Sequence, residues 1–354
     1  MNIMRKTRKF LMNTLAGREA PDGARFVHVV SRTAGREILF GEEEKETFRK
    51  IFLKQLKFSG LRALAWCFMG NHFHLLLEIP DREEALANLS DEDVLAKLSA
   101  FSGEQSTKFL LRELDDCRKA NNVVGIERIA VRVRARLFDL SAFMKELKLR
   151  FTLAYNHSSG RTGTLWEGRF KSVLVEPGEA LRTVAAYIDL NPIRAGMVRR
   201  PEDYRWCSYA AAVGGMRLAR SGLIAAIAFG KTQSWAKAAD RYRDYLFGVG
   251  QEVKDGAAAD GVVKFKGGFT QREIEAVWAA GGKLTVAQVL RCRVRYMTDG
   301  VAFGSQGFIN AFFERQREAF GSKRKNGGRR MKGAQWGELR VLRDLKVDAV
   351  TPSG

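Results

Sequence analysis

The sequence predicts an α+β protein, an antiparallel sheet with helices packed on one of its faces, continued by an α-helical C-terminal extension. Three observations predict it. Four apolar, partly β-branched runs are short enough to be strands, amphipathic helical segments fall between them in the order β-α-β-β-α-β-α, and the chain turns Ala-rich and helical after about residue 215. That order suits antiparallel strand neighbours joined by hairpins and helical crossovers.

The elements follow in order. RFVHVVSRT (25–33) reads as a strand, and residues 42–58 place Phe48, Ile51, Phe52 and Leu56 at helical spacing. LRALAWCFM (61–69) and HFHLLLEI (72–79) are two apolar runs separated by Gly70-Asn71, a pair that tolerates the positive φ of tight hairpin turns. Residues from about 82 to 137 are charged, helical in propensity and free of strand runs, and read as an insertion. DLSAFMKELKLRFTLAYN then stripes Leu140, Phe143, Met144, Leu147 and Phe151 along one helix. After a turn-rich stretch, RFKSVLVE (169–176) is a fourth strand, broken by Pro177-Gly178. A helix from Glu179 to about Leu190 follows, with Leu181, Val184, Ala185 and Ile188 as its core stripe.

The expected domains are a core over 1–215, a helical connector and linker over 216–262 that includes DGAAADG (255–261), a small helical domain with a basic tail over 263–332, and a C-terminal tail over 333–354. Residues 269–320 suggest three helices, the last carrying Ile309, Phe312, Phe313 and Phe320. A helix-turn-helix match there is weak, since any three-helix packing leaves a similar pattern.

Composition narrows the function classes. The 354 residues include 60 Lys and Arg against 40 Asp and Glu, a net charge of +20 that favours polyanionic partners, nucleic acid first. Nothing approaches the ~20 consecutive apolar residues of a membrane span, and the basic N-terminal stretch lacks a signal-length apolar run. Cys67, Cys117, Cys207 and Cys292 are widely spaced with no CxxC pair, the pattern of reduced thiols. A cytoplasmic protein, nucleoid-associated in a prokaryote, is the expectation.

Chemistry concentrates in two residue pairs. His72 and His74 stand at i, i+2 in a strand-like run, so both rings leave one face with Cα atoms ~6.6 Å apart, close enough to converge on one divalent ion. A bare HxH also fits two surface histidines on a half-exposed strand. Glu78 shares their face and could orient a ligand ring, or form a solvated salt bridge. Tyr187 and Asn191 lie four apart, ~40° from each other around a helix, which sets a phenol beside a carboxamide. An oxygen from Asn191 would leave a hard cation such as Mg²⁺ or Mn²⁺ open to phosphate oxygens. Asn191 before Pro192 equally fits the end of one helix and the N-cap of the next.

GNHFHLLLE, GTLWEGRFKSVLVE, YIDLNPIRAGMV and PEDYRWCSYA, in this order over roughly residues 20–215, resemble the REP-associated tyrosine transposases, single-tyrosine members of the HUH (His-hydrophobic-His) superfamily. The resemblance implies a ferredoxin-like catalytic domain, His72 and His74 as metal ligands on a central strand, Tyr187 as nucleophile and Asn191 as third ligand. The insertion at 82–137 and the extension after 215 depart from compact members, and nothing is carried over to them.

The implied activity is metal-dependent nicking and strand transfer on single-stranded or hairpin DNA through a 5′-phosphotyrosine. A phenol with a pKa near ~10 needs such electrostatic help at neutral pH. No GxxxxGK[ST] loop is present, so no nucleotide triphosphate is expected. Arg161, Arg169 and Lys171 flank Trp166, and Arg205 sits between Tyr204 and Trp206, so cations could track phosphates while aromatic faces stack on bases. Core packing is the equal alternative for both tryptophans. The cluster Lys323, Arg324, Lys325, Arg329, Arg330 and Lys332 reads as a nonspecific DNA arm or a solvated segment. His28, mid-strand in FVHVV, reads as a hydrogen-bonded structural residue, and His157 is assigned no role. Two other readings stay open: a non-catalytic nucleic-acid-binding regulator with an idle or structural metal site, and a metal-assisted phosphodiesterase that uses water. The oligomeric state, a homodimer included, is left open.

Overall fold

The computed structural model describes residues 23–101, 105–228, 234–247, 286, 290, 295–298, 300–320, 322–331, 334 and 336–343. The expected linker at 255–261 and most of 263–294 lie outside them. Strand β1 (Arg25–Arg32) leads to helix α1 (Glu42–Ser59), then strands β2 (Arg62–Phe68) and β3 (His72–Ile79). Helices α2 (Arg82–Ala87), α3 (Asp91–Ala96), α4 (Gln105–Lys119) and α5 (Val123–Arg134) fill the insertion. Helix α6 (Leu140–Ser159), strand β4 (Lys171–Val175), helix α7 (Glu179–Asp189) and the single turn α8 (Asn191–Arg194) follow. Then come α9 (Ser208–Val213), α10 (Arg217–Ile227), α11 (Trp235–Phe247), β5 (Ala302–Ser305), α12 (Gln306–Arg315) and β6 (Leu339–Leu342).

The strands form one sheet in the order β2-β3-β1-β4-β5-β6. The four strands expected from the sequence pair antiparallel, but β5 joins β4 in parallel, so the sheet is mixed rather than antiparallel. The extension is likewise not all-helical: β5 and β6 add two short strands to the same sheet. A parallel neighbour needs a long crossover, and the chain between Val175 and Ala302 supplies it.

Side-chain alternation explains why both sheet faces are covered, against the expectation of helices on one. Phe73 on β3 and Phe68 on β2 meet Phe48 of α1 at ring-centroid distances of 4.8 and 5.0 Å, and Phe48 meets Phe151 of α6 at 5.1 Å. The Phe48 pairs with Phe68 and Phe151 are edge-on, an arrangement that contributes ~0.5–1.5 kcal/mol each beyond burial. Residues of opposite parity face α7 and α10. At Gly222 of α10 an added Cβ would stand 2.3 Å from the Ala63 carbonyl oxygen, so only glycine allows this helix to lie against β2.

The hairpin closes where Gly70-Asn71 predicts, with the Met69 amide donating to the His72 carbonyl at 2.8 Å. Neither turn residue takes a positive φ, however. Residues 33–40 hold the turn instead: Thr33 N donates to Asn71 O at 3.0 Å and Phe40 N to Gly70 O at 2.9 Å. The insertion builds a core of its own from Leu98, Phe101, Ile129 and Val133, seated on Phe58 at the end of α1. Gly60 ends that helix at φ +75, and an added Cβ would lie 2.2 Å from the Phe138 ring, so its conformation and its space both require glycine.

Candidate functional site

The register of the central strands assembles the site. His74 pairs across β1 with Val30, which pairs with Lys171 on β4, and His72 pairs with Arg32. Directly opposed residues share a face, so His72, His74, Arg32 and Lys171 leave the sheet on the same side, Lys171 ~10 Å from His74 by two strand spacings. His28 is two residues before Val30 and joins that face. Helix α7 crosses it and brings Tyr187 in, its ring standing edge-on 5.8 Å from His74 and 5.9 Å from His28. The His72 and His74 rings are 5.1 Å apart.

Hydrogen bonds fix the orientation of His72. The Asn71 amide nitrogen donates to the Arg36 carbonyl at 2.9 Å, which turns Asn71 Oδ1 toward His72 Nδ1 at 2.7 Å. That oxygen only accepts, so Nδ1 carries the ring hydrogen and Nε2 presents a lone pair. His74 engages His28 through Nδ1, which stands 3.0 Å from His28 Nε2, while His28 Nδ1 lies 2.7 Å from the Met297 carbonyl oxygen. Burial pushes His28 and His72 down to about 4 and holds His74 well below the usual imidazole value, with the Arg194 charge adding to the effect on all three and Arg32 on His72 and His74. All three rings are therefore neutral at pH 7.

Tyr187 and Asn191 stay on one side although α7 ends at Asp189, because Leu190 keeps helical geometry (φ −84, ψ −1) and passes the turn into α8. Leu190, not Asn191, is the cap residue of α8, one position before the sequence reading. Asn191 Nδ2 donates to the carbonyls of Tyr187 at 3.3 Å and Ile188 at 3.2 Å, leaving Oδ1 as the acceptor of the group. Two residues here escaped the sequence reading. Arg194 lays its guanidinium 4.1 Å from the Tyr187 ring centroid and donates to the carbonyls of Tyr187 at 2.8 Å and Leu290 at 2.6 Å. Asp189 is wholly buried and accepts from Ser208 Oγ at 2.7 Å, Tyr209 N at 3.1 Å and Tyr242 Oη at 2.8 Å, which ties α7 to α9 and α11. Burial pushes its carboxyl up to about 6 despite those donors. An aspartate inside an otherwise apolar helix stripe was the available signal for it.

The remaining candidates are placed as follows. Glu78 is not drawn to the histidines: it pairs with Arg62 at 3.2 Å, six residues along β3 from His72, and the ring-orienting role it was offered falls to Asn71 and His28. Trp166 is a core residue rather than an exposed stacking platform. It is 7% exposed, donates Nε1 to Thr152 Oγ1 at 3.0 Å, and packs on Phe40, Phe73 and Phe151. Trp206 is buried as well, under the ammonium of Lys45 at 4.6 Å. Arg161 and Arg205 are exposed and reach Glu37 at 3.4 Å and Glu46 at 3.3 Å. Arg169 and Lys171 are exposed at the start of β4. In the basic cluster, Arg324 folds onto Phe313 and Phe320 and donates to the Gly327 carbonyl, and Arg329 bridges to Val341, so these two belong to the folded extension. His157 lies exposed in the last turn of α6 rather than in a polar turn.

Among the described residues no group of three or more His, Cys, Asp or Glu side chains is placed to hold a metal ion. His28 could not complete one, since both its nitrogens are engaged. No helix of the described residues is long and apolar enough to cross a membrane.

What fold and site define together is an α+β protein with a mixed sheet, carrying a cluster of two buried histidines, one half-buried histidine and a buried tyrosine beneath a basic rim. No known family profile matches the chain, and no curated protein matches it. A solved structure of a REP-associated tyrosine transposase bound to a REP hairpin aligns over 56% of this chain and 84% of its own, at 16% identity and a TM-score of 0.34.

Proposed function

We propose that this chain cuts and rejoins single-stranded or hairpin DNA by transesterification at Tyr187. The observation that carries the reading is the placement of the Tyr187 ring 5.8 Å from His74, on a sheet face rimmed by Arg32, Lys171 and Arg194. In this reading the phenol oxygen attacks a backbone phosphorus, the bond from phosphorus to the 3′ oxygen breaks, and the phenol proton is lost to water while the departing oxygen gains one. The products are a 5′-phosphotyrosine and a free 3′-OH, and reversal by another 3′-OH rejoins a strand with no nucleotide triphosphate. Lys171 and Arg32 hold the phosphate over the imidazoles. Tyr187 is 5% exposed, so a strand reaches its oxygen only with local opening around Arg194.

The chemistry of the donors suits one divalent cation. His72 and His74 are neutral, His72 turns a bare Nε2 outward, and Asn191 keeps an amide oxygen free of its backbone bonds. When bound, Mg²⁺ or Mn²⁺ supplies charge neutralisation at the phosphate. Two protein nitrogens and one amide oxygen leave positions for phosphate and water. The nearby arginines oppose a bare cation and favour one that arrives with the phosphate.

The test is a 3′-labelled hairpin oligonucleotide incubated with Mg²⁺ or Mn²⁺ and run on a denaturing gel. A protein-linked band is expected, lost with EDTA and with Tyr187→Phe. Cleavage that survives Tyr187→Phe overturns the nucleophile. Cation-dependent cleavage with no linked band points instead to water as the attacking group.

A further inference from the structure

The contact between His28 and Met297 spans 269 residues of chain and joins the first strand of the sheet to the extension. A carbonyl oxygen accepts and never donates, so the 2.7 Å approach of His28 Nδ1 to Met297 O places the single hydrogen of that neutral ring on Nδ1. His28 Nε2 is then a bare acceptor. It faces His74 Nδ1 at 3.0 Å, and two bare nitrogens do not meet at that distance, so His74 carries its hydrogen on Nδ1. The outcome is a bare Nε2 on His74, the same state that Asn71 imposes on His72.

We propose that His28 is a positioning residue, and that the extension works through it: the Met297 carbonyl, relayed by His28, locks His74 in the Nδ1–H tautomer and so directs a lone pair into the site. The extension grips the tyrosine side in parallel, since the Leu290 carbonyl accepts from the Arg194 guanidinium that covers Tyr187. It is itself fastened to the sheet by the pairing of β5 with β4 and by Glu176, whose carboxylate accepts from the Ser305 hydroxyl at 2.8 Å. The extension is thereby part of the site's framework rather than an appendage. This inference deepens the proposed function and rests on it only for the use made of the His74 lone pair.

The experiment is a long-range ¹H–¹⁵N spectrum of the ¹⁵N-histidine-labelled full chain, free of metal and DNA. Only four histidines contribute, and single substitutions assign them. His28 and His74 are each expected to show a protonated Nδ1 and a bare Nε2. His28→Leu is expected to collapse the two separated His74 nitrogen signals toward an averaged shift. His28→Gln, whose amide can donate to Met297 and accept from His74, is expected to keep them apart. A wild-type His28 or His74 protonated on Nε2 overturns the relay, as does a His74 pattern left unchanged in His28→Leu. The wild-type spectrum needs no variant to fold, since His28, His72 and His74 are all expected in the same Nδ1–H state, and its result stands whether or not the chain cuts DNA.

Discussion

Arg194 clamps Tyr187 from two directions: its guanidinium lies 4.1 Å from the ring centroid, and the same group donates to the tyrosine's own carbonyl at 2.8 Å. A further donation to Leu290 makes one side chain the link between the tyrosine helix and the extension. Replacing it by alanine removes the donor from the Leu290 carbonyl, at ~1–3 kcal/mol if that group stays buried, while the Tyr187 carbonyl keeps the Asn191 amide. Arg194→Ala should lower the urea unfolding midpoint, and Arg194→Lys should recover little of the loss, because an ammonium cannot reproduce the flat, forked contact. Equal recovery by lysine would show that charge alone matters here.

Asn71 is expected to matter through His72. Asn71→Ala removes the acceptor that holds the hydrogen on Nδ1, and losses of such ring-orienting partners reduce metal affinity ~10–100-fold. Titration calorimetry with MnCl₂ in the presence of an uncleavable oligonucleotide measures it, with circular dichroism to verify the fold. Unchanged affinity would separate Asn71 from the site.

Trp166→Ala should cost ~3–5 kcal/mol, the usual range for emptying a large aromatic from a packed core. Oligonucleotide affinity per folded molecule should stay as it was, since the ring is enclosed by Phe40, Phe73 and Phe151. Loss of binding with unchanged stability would return Trp166 to the stacking role suggested by its neighbours in sequence.

Lys171→Gln should weaken binding of all single-stranded sequences alike and flatten the logarithmic salt dependence by ~0.7. Fluorescence anisotropy between low and moderate salt reads this slope. A sequence-selective defect would assign Lys171 to base recognition instead.

Lys148 gives a pH-dependent prediction. Its ammonium donates to the Gly168 carbonyl at 2.6 Å and lies 5.1 Å from the Trp166 ring, yet burial pushes it down to about 8. In the unfolded chain it titrates near ~10.4, so between pH 8 and pH 10 the unfolded state binds the extra proton and stability contributed by this group rises with pH. The stability difference between wild type and Lys148→Met should therefore shift in favour of wild type from pH 8 to 10. A difference constant over that range would mean the ammonium is not desolvated.

Much of the central architecture was legible in the sequence. HFHLLLEI begins and ends where β3 does, and the 3.6-residue stripes locate α1 and α7 to within a residue and α6 to within three, because their patterns are long and local. The site was legible only as far as local spacing reaches. His28 reads as core within FVHVV, and nothing nearby announces a partner 269 residues away. AFGS and LRVL, four residues each, are too short to display a strand period, so the mixed sheet stayed hidden. Glu78 shows the opposite failure, for sharing a face with the histidines said nothing of its distance along the strand.

The chain order of these parts has a consequence for biosynthesis. Leu290 leaves the ribosome 96 residues after Arg194, an interval of about 5–20 s at ordinary translation rates. During that interval the nascent polypeptide already holds every group of the phenol-and-imidazole cluster but neither carbonyl that immobilises it. A newly made copy therefore holds the clustered side chains before their restraint, and premature termination anywhere in that window would release a protein that carries the cluster without its clasp.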